Sequence, residues 1–228
     1  MKYAILALTL LAVVAAYSVL ESDVTEIDVN SGAVSLPEPV LKGGLSVEEA
    51  LSSRRSVRSY SSGSATKGEL GQMLWAAQGV TSEWGGRTAP SAGSTYPLET
   101  YVVVGDVEGL EPGVYEYDPK THSIIQKNGG DLREALAREA LGQGMISKAQ
   151  FTIILSIAYE RATGRYGERG VMYAHMEAGH AGQNIYLQAE SLGLGTVAVG
   201  AFNPEGVAEL LDIPEGETVA YLFPVGRR

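Results

Sequence analysis

The run FTIILSIAY, residues 151–159, most constrains what this chain can fold into. A continuous apolar stretch of that length, without polar alternation, reads as a strand at the centre of a sheet. The chain supplies neighbours for it. A strand is expected near 99–104, and GVYEYDPKTHSIIQ reads as a hairpin turning on Asp118-Pro119-Lys120-Thr121. TVAVGAF and TVAYLFPVG read as two more strands. Between them lie helices with local start signals. Ser46 with Glu49 and Thr66 with Glu69 form capping boxes, DLREALAREAL starts a helix at Asp131, and a long helix is expected from about Glu168 to Leu192, ending at Gly193. Asn203 caps a short helix with Pro204 in its first turn. Hairpin, crossovers and helices together predict an α+β domain around one mixed sheet flanked by helices.

At 228 residues the chain fits one such domain, expected over 45–228. Residues 21–44, ending in SLPEPVLKGG, read as a linker. Residues 1–20 carry Lys2 and then an apolar run from Tyr3 to Leu20, followed by acidic residues at 21, 23, 26 and 28. That pattern predicts a signal peptide or membrane anchor and an extracytoplasmic domain, anchored or secreted.

A net charge of −10 argues against a nucleic-acid partner, which needs a basic face. The absence of cysteine excludes disulfides, thiolate catalysis and zinc–thiolate sites. Against the acidic background, RRSVR gathers Arg54, Arg55 and Arg58 within five residues, with Ser56 beside them. Guanidinium forks match phosphate oxygens; the bland alternative is a solvated basic patch. In PSAGSTYP, Ser91, Ala92 and Gly93 carry almost no side chain, so their backbone can approach a flat ring, or simply turn into the next strand. SLGLGTVAVGAF has glycines in the order helix, glycines, strand, the reverse of a dinucleotide fingerprint. Glu177 and His180 share a helix face, but one such pair does not make a metal centre. With no nucleophile elbow or phosphate loop either, the hard chemistry of an enzyme built this way falls to a cofactor.

RRSVRSY, MLWAAQGVT, RTAPSAGSTYPLETYVV, GVYEYDP, RYGERG, EAGHAGQNIYLQAESLGLGTVAVGAF and a final PVG occur in one order along 45–226. Together they resemble the nitroreductase family of flavoproteins, in its SagB-type branch, which includes azoline oxidases of modified-peptide pathways. The resemblance implies an intertwined homodimer holding FMN noncovalently at its interface, with hydride passing between the flavin and a small-molecule substrate or electron donor. By position, Arg54, Arg55, Ser56 and Arg58 are implied to hold the phosphate and ribityl chain. Ser91, Ala92 and Gly93 are implied to line the isoalloxazine, Ser94 stands where many members have asparagine, and Gly200 and Ala201 are implied to bring backbone to the flavin edge. Arg165 and Tyr166 stand where azoline oxidases tend to have a Lys-Tyr pair. Arginine stays protonated, so general reduction of nitro or quinone compounds is favoured over azoline oxidation, and Tyr166 is the hydrogen-bonding member of the pair. A flavin-binding or sensor protein without turnover is a further reading. An exported flavoprotein would exchange electrons with a quinone, a thiol or an extracytoplasmic partner.

Overall fold

The apolar run becomes a strand with a neighbour on each edge and helices over both faces. The computed structural model describes residues 27–28 and 32–228. In chain order the strands are β1 (Ile27–Asp28), β2 (Ala33–Ser35), β3 (Leu98–Val104), β4 (Gly113–Asp118), β5 (Ser123–Gly129), β6 (Phe151–Ala158), β7 (Leu194–Thr196) and β8 (Glu217–Arg227). They form one sheet in the order β1-β2-β5-β4-β3-β6-β8-β7. Every pairing between these strands is antiparallel. Parallel pairing, expected as part of a mixed sheet, is confined to isolated bridges at Ser56–Thr196 and Ala65–Val107.

The helices are α1 (Val47–Ser53), α2 (Lys67–Gln78), α3 (Arg133–Glu139), α4 (Gly144–Ser147), α5 (Tyr159–Tyr166), α6 (Arg169–Ser191) and α7 (Pro204–Leu211). Side chains alternate across the central strands. Val102, Val104, Ile153, Leu155, Ile157 and Phe223 face one core with α2 and α6, whereas Tyr101, Val103, Ile154 and Leu222 face a second with α3, α4 and α7. That double burial is why residues 151–157 lack a polar side. On α6 the inward stripe is Ala174, Ala178, Ala181, Ile185 and Ala189. A Cβ on Gly182 would come within 2.8 Å of the Phe223 ring, so this glycine lets the helix lie close on the sheet.

Both capping boxes form. The Ser46 and Thr66 side chains accept from the amides of Glu49 and Glu69, whose carboxylates accept from the cap amides in return. Arg227 then grips Glu69 through both of its terminal nitrogens. Thr66→Ala removes the cap that starts α2 and is expected to lower stability by about 1 kcal/mol in urea unfolding.

Four expectations change in the structure. The strand expected over TVAVGAF is instead Leu194–Thr196, because the Ala198 amide donates to the Tyr186 hydroxyl at 2.8 Å and leaves the ladder. Asn203 begins α7 without capping it; its side chain donates to Glu139 on α3 at 3.0 Å. Within the stretch read as a linker, β1 and β2 extend the sheet edge, and His122 holds the Pro37 carbonyl at 2.9 Å. Finally, no helix among the described residues is long and apolar enough to cross a membrane. The segment 1–20 on which the signal or anchor rested lies outside the described residues. The expected membrane anchor and the extracytoplasmic location are accordingly withdrawn.

Candidate functional site

Helix α6 carries two polar clusters, and the motif residues sort onto them. Near its C-terminal end, the Tyr186 hydroxyl lies 3.0 Å from Ser56 Oγ and accepts from the Ala198 amide. Arg54, at the end of α1, lays its guanidinium 4.9 Å from the Tyr186 ring centroid. Tyr186 therefore fastens the arginine-rich turn to the segment leading to Gly200 and Ala201, both exposed. The Ser56–Thr196 bridge and the Val57 amide on the Thr196 carbonyl secure the same junction. Arg58 is exposed and forms no salt bridge among the described residues. Arg55 differs from its neighbours: one of its terminal nitrogens donates to the Ser52 and Arg54 carbonyls, as a cap on the end of α1.

The second cluster surrounds the small-residue loop. Ala92–Ser94 form a single 3₁₀ turn with Gly93 at φ 57° and Ser94 at φ 55°. A Cβ on Gly93 would come within 2.4 Å of the Tyr166 hydroxyl and 2.8 Å of Arg165 Nε. Arg165 donates to the Gly93 carbonyl at 3.0 Å. Arg165 and Tyr166 sit at the end of α5, which stops at Gly167 with φ 58°, and Tyr166 meets Tyr173 of α6 edge to face. Ser91 Oγ accepts from the Tyr96 amide at 2.9 Å. The structure thus unites Ser91, Ala92, Gly93 and Ser94 with Arg165 and Tyr166, and separately unites Arg54, Ser56 and the approach to Gly200.

Two residues organise these clusters, one unread in the sequence and the other read there only as half of a metal pair. Tyr186 is the hub of the first. Glu177, only 2% exposed, sits beside Ser91 in the second, and burial pushes its carboxyl up to about 7 against the opposing pull of the Ser91 hydrogen bond and the Arg87 charge. The legible signal was a lone acid set between the buried alanines 174, 178 and 181. Glu177 and Tyr186 are nine residues apart on one helix, so about 13–14 Å separates the clusters along its axis. The outward face of α6 before Glu177 exposes Val171, Met172 and Met176.

A helix-flanked sheet with a basic turn and a bare loop on one long helix defines a protein of the flavin-oxidoreductase superfamily. The chain belongs to the nitroreductase family, whose description, Nitroreductase family, matches residues 51–227. It is 50% identical over 184 residues to a Methanocaldococcus jannaschii protein described as a nitroreductase, covering 81% of this chain and 92% of that one. A crystal structure from Anabaena variabilis, also described as a nitroreductase, superposes with a TM-score of 0.76 at 31% identity; the match covers 89% of this chain and 42% of that one. The trifolitoxin-processing protein of Rhizobium leguminosarum bv. trifolii is 34% identical over 120 residues, half of this chain and 32% of that protein.

Proposed function

We propose that this protein is an FMN-dependent oxidoreductase that reduces small organic acceptors. Family membership supports the class, and the residues present fit the cofactor. The observation that carries the reading is the collision a Cβ would make at Gly93, pinned by Arg165 and Tyr166. The loop is held bare and fixed, as a planar ring needs. Arg54 and Arg58 offer forks for a phosphate, with the Ser56 hydroxyl alongside and Arg55 contributing charge from its capping position. Ser91, Ala92 and Ser94 would line the ring, and Gly200 and Ala201 would offer backbone to it. Bound FMN would supply two-electron hydride chemistry. The chain's part is to orient the ring, exclude water and place hydrogen bonds around it. Arg165 stays charged and holds the Gly93 carbonyl, a positioning role, while Tyr166 presents a hydroxyl to the same turn.

The proposed molecule is a homodimer. The two clusters are separated along α6, and Met172 and Met176, exposed on the N-terminal side of Glu177, suit a second copy of this helix. One site would then draw its arginine turn from one protomer and its bare loop from the other. The test mixes the purified full chain with FMN and removes the excess by gel filtration. Flavin absorption that co-elutes at dimer mass and bleaches anaerobically with dithionite supports the reading; a colourless protein refutes it. A bound flavin that no nicotinamide, quinone or thiol couple turns over would favour a sensor.

The partial likeness to a trifolitoxin-processing protein favours a second reading, an azoline dehydrogenase acting on a modified peptide. A guanidinium fixed at residue 165 does not abstract protons, so oxidation of a thiazoline peptide by the flavin-loaded chain is expected to be absent. Its detection would reverse the order of the two readings.

A further inference from the structure

Glu177 faces a cavity of about 290 Å³ lined by Pro90, Ser91, Ala92, Tyr173, Met176 and His180. Its Oε1 has no hydrogen-bond partner among the described residues, although Glu177 is 2% exposed. A buried polar atom left unpaired is costly, and proteins rarely leave one without a reason. The apolar part of its lining is a proline, an alanine, Tyr173 and Met176. The cavity is at the lower end of ligand-sized spaces and suits a planar group entering edge first.

We propose that this cavity seats the oxygen-bearing edge of a planar conjugated carbonyl compound, and that Glu177, as the neutral acid, donates the hydrogen bond that holds it. The proposal deepens the flavin reading and rests on it in one respect: the edge belongs either to the flavin's own dioxopyrimidine ring or to a quinone acceptor. Either source presents a carbonyl oxygen, an acceptor that a protonated carboxyl satisfies and a carboxylate repels. Burial points to Glu177 as the donor, since the other lining donors, Tyr173 and His180, are more exposed. Ser91 Oγ accepts from the Tyr96 amide and turns its own O–H to Glu177, and Met176 and Pro90 have nothing to donate. The charged and titratable groups facing Glu177 are Arg87 from the loop after α2, Tyr173 and His180 on α6, and, through the Tyr173 ring, Tyr166 at the end of α5. Arg87 itself is held by Gln78 and lies over the Tyr96 ring. Near neutrality Glu177 is the buried group in this set whose charge changes; His180 lies at the exposed rim.

Sign follows from donation. Only the acid form binds the carbonyl, so affinity is full below about pH 7 and falls by about tenfold per unit above it. The experiment measures dissociation constants from pH 5.5 to 8.5 for wild type, E177Q and S91A. Riboflavin, which lacks the titrating phosphate, is the flavin probe and is read by fluorescence quenching. 1,4-Naphthoquinone, added to the full chain carrying oxidised flavin, is the acceptor probe and is read by equilibrium dialysis. Wild type is expected to weaken at least tenfold across neutrality for one probe, which identifies the occupant. E177Q carries a permanent N–H donor and is expected to stay within about twofold. S91A removes a bond that favours the carboxylate, so its break is expected at higher pH. Equal slopes in wild type and E177Q would assign the pH dependence to a group other than Glu177 and overturn the proposal, as would flat profiles for both probes. If riboflavin and FMN bind at no pH, the flavin reading fails by itself, and the naphthoquinone arm on the chain as purified still decides the role of Glu177.

Discussion

Replacing Arg54 and Arg58 together by alanine is expected to raise the dissociation constant for FMN by at least about a hundredfold. Each guanidinium is assigned a charge-assisted hydrogen bond to the phosphate, and such bonds are worth roughly 1.5–3 kcal/mol apiece, so two amount to about 3 kcal/mol or more. The fold does not depend on either side chain. Arg58 is exposed and without an ion pair among the described residues, and Arg54 touches them mainly over the Tyr186 ring. The thermal transition of the double variant is therefore expected to stay within a few degrees of the parent. Riboflavin provides the control, because it shares the ring and lacks the phosphate. Its affinity is expected to be unchanged, and equal loss of riboflavin and FMN would show that the arginines do not serve a phosphate. Arg55→Ala is expected to have the smallest effect of the three single replacements, since that guanidinium already bonds the carbonyls at the end of α1. Raising the salt should weaken FMN binding in the parent more than in the double variant.

How far the sequence foretells this structure depends on how local each determinant is. The capping boxes at Ser46 and Thr66 need only four consecutive residues, and both form as read. The double burial of β6 was legible because an unbroken apolar run leaves no face for water. Strand β7 was displaced because its ladder is broken by a hydroxyl twelve residues upstream, at Tyr186, and no pattern in TVAVGAF encodes that bond. Helix α5 was missed for a related reason: YERATGRY follows the apolar strand without a cap or a break, and only Gly167 and Glu168 separate it from α6. The site divides the same way. Residue types in RRSVR and PSAGS point to a phosphate and a ring, yet their spacing says nothing of α6 holding the two motifs apart. Glu177 was weighed as half of a metal pair with His180, and that arithmetic hid its distinguishing property, an acid buried beside a loop of small residues.

That burial makes a second large prediction, independent of any ligand. A carboxyl that titrates at about 7 in the folded chain and at 4.5 when unfolded makes stability depend on pH in a defined direction. Below the unfolded value both states hold the proton and the group costs nothing. Between the two values the native state keeps a proton that the unfolded state has released, so stability falls as pH rises, and the loss is complete once the folded carboxyl has ionised. Taken over the whole interval this is roughly 3 kcal/mol, at 1.36 kcal/mol per unit. E177Q cannot ionise and escapes the loss. Unfolding of the ligand-free proteins in urea should give an advantage of the variant over the parent that is small at pH 5, grows through pH 6 and 7, and levels off by pH 8. An amide that packs a little worse or better than the acid would add an offset, but an offset does not change with pH. The other carboxylates titrate alike in the two proteins and cancel in the difference. A difference of constant size between pH 5 and 8 would mean that Glu177 titrates as an ordinary surface acid. The neutral donor proposed for the cavity would then have no basis, whatever the arginines do.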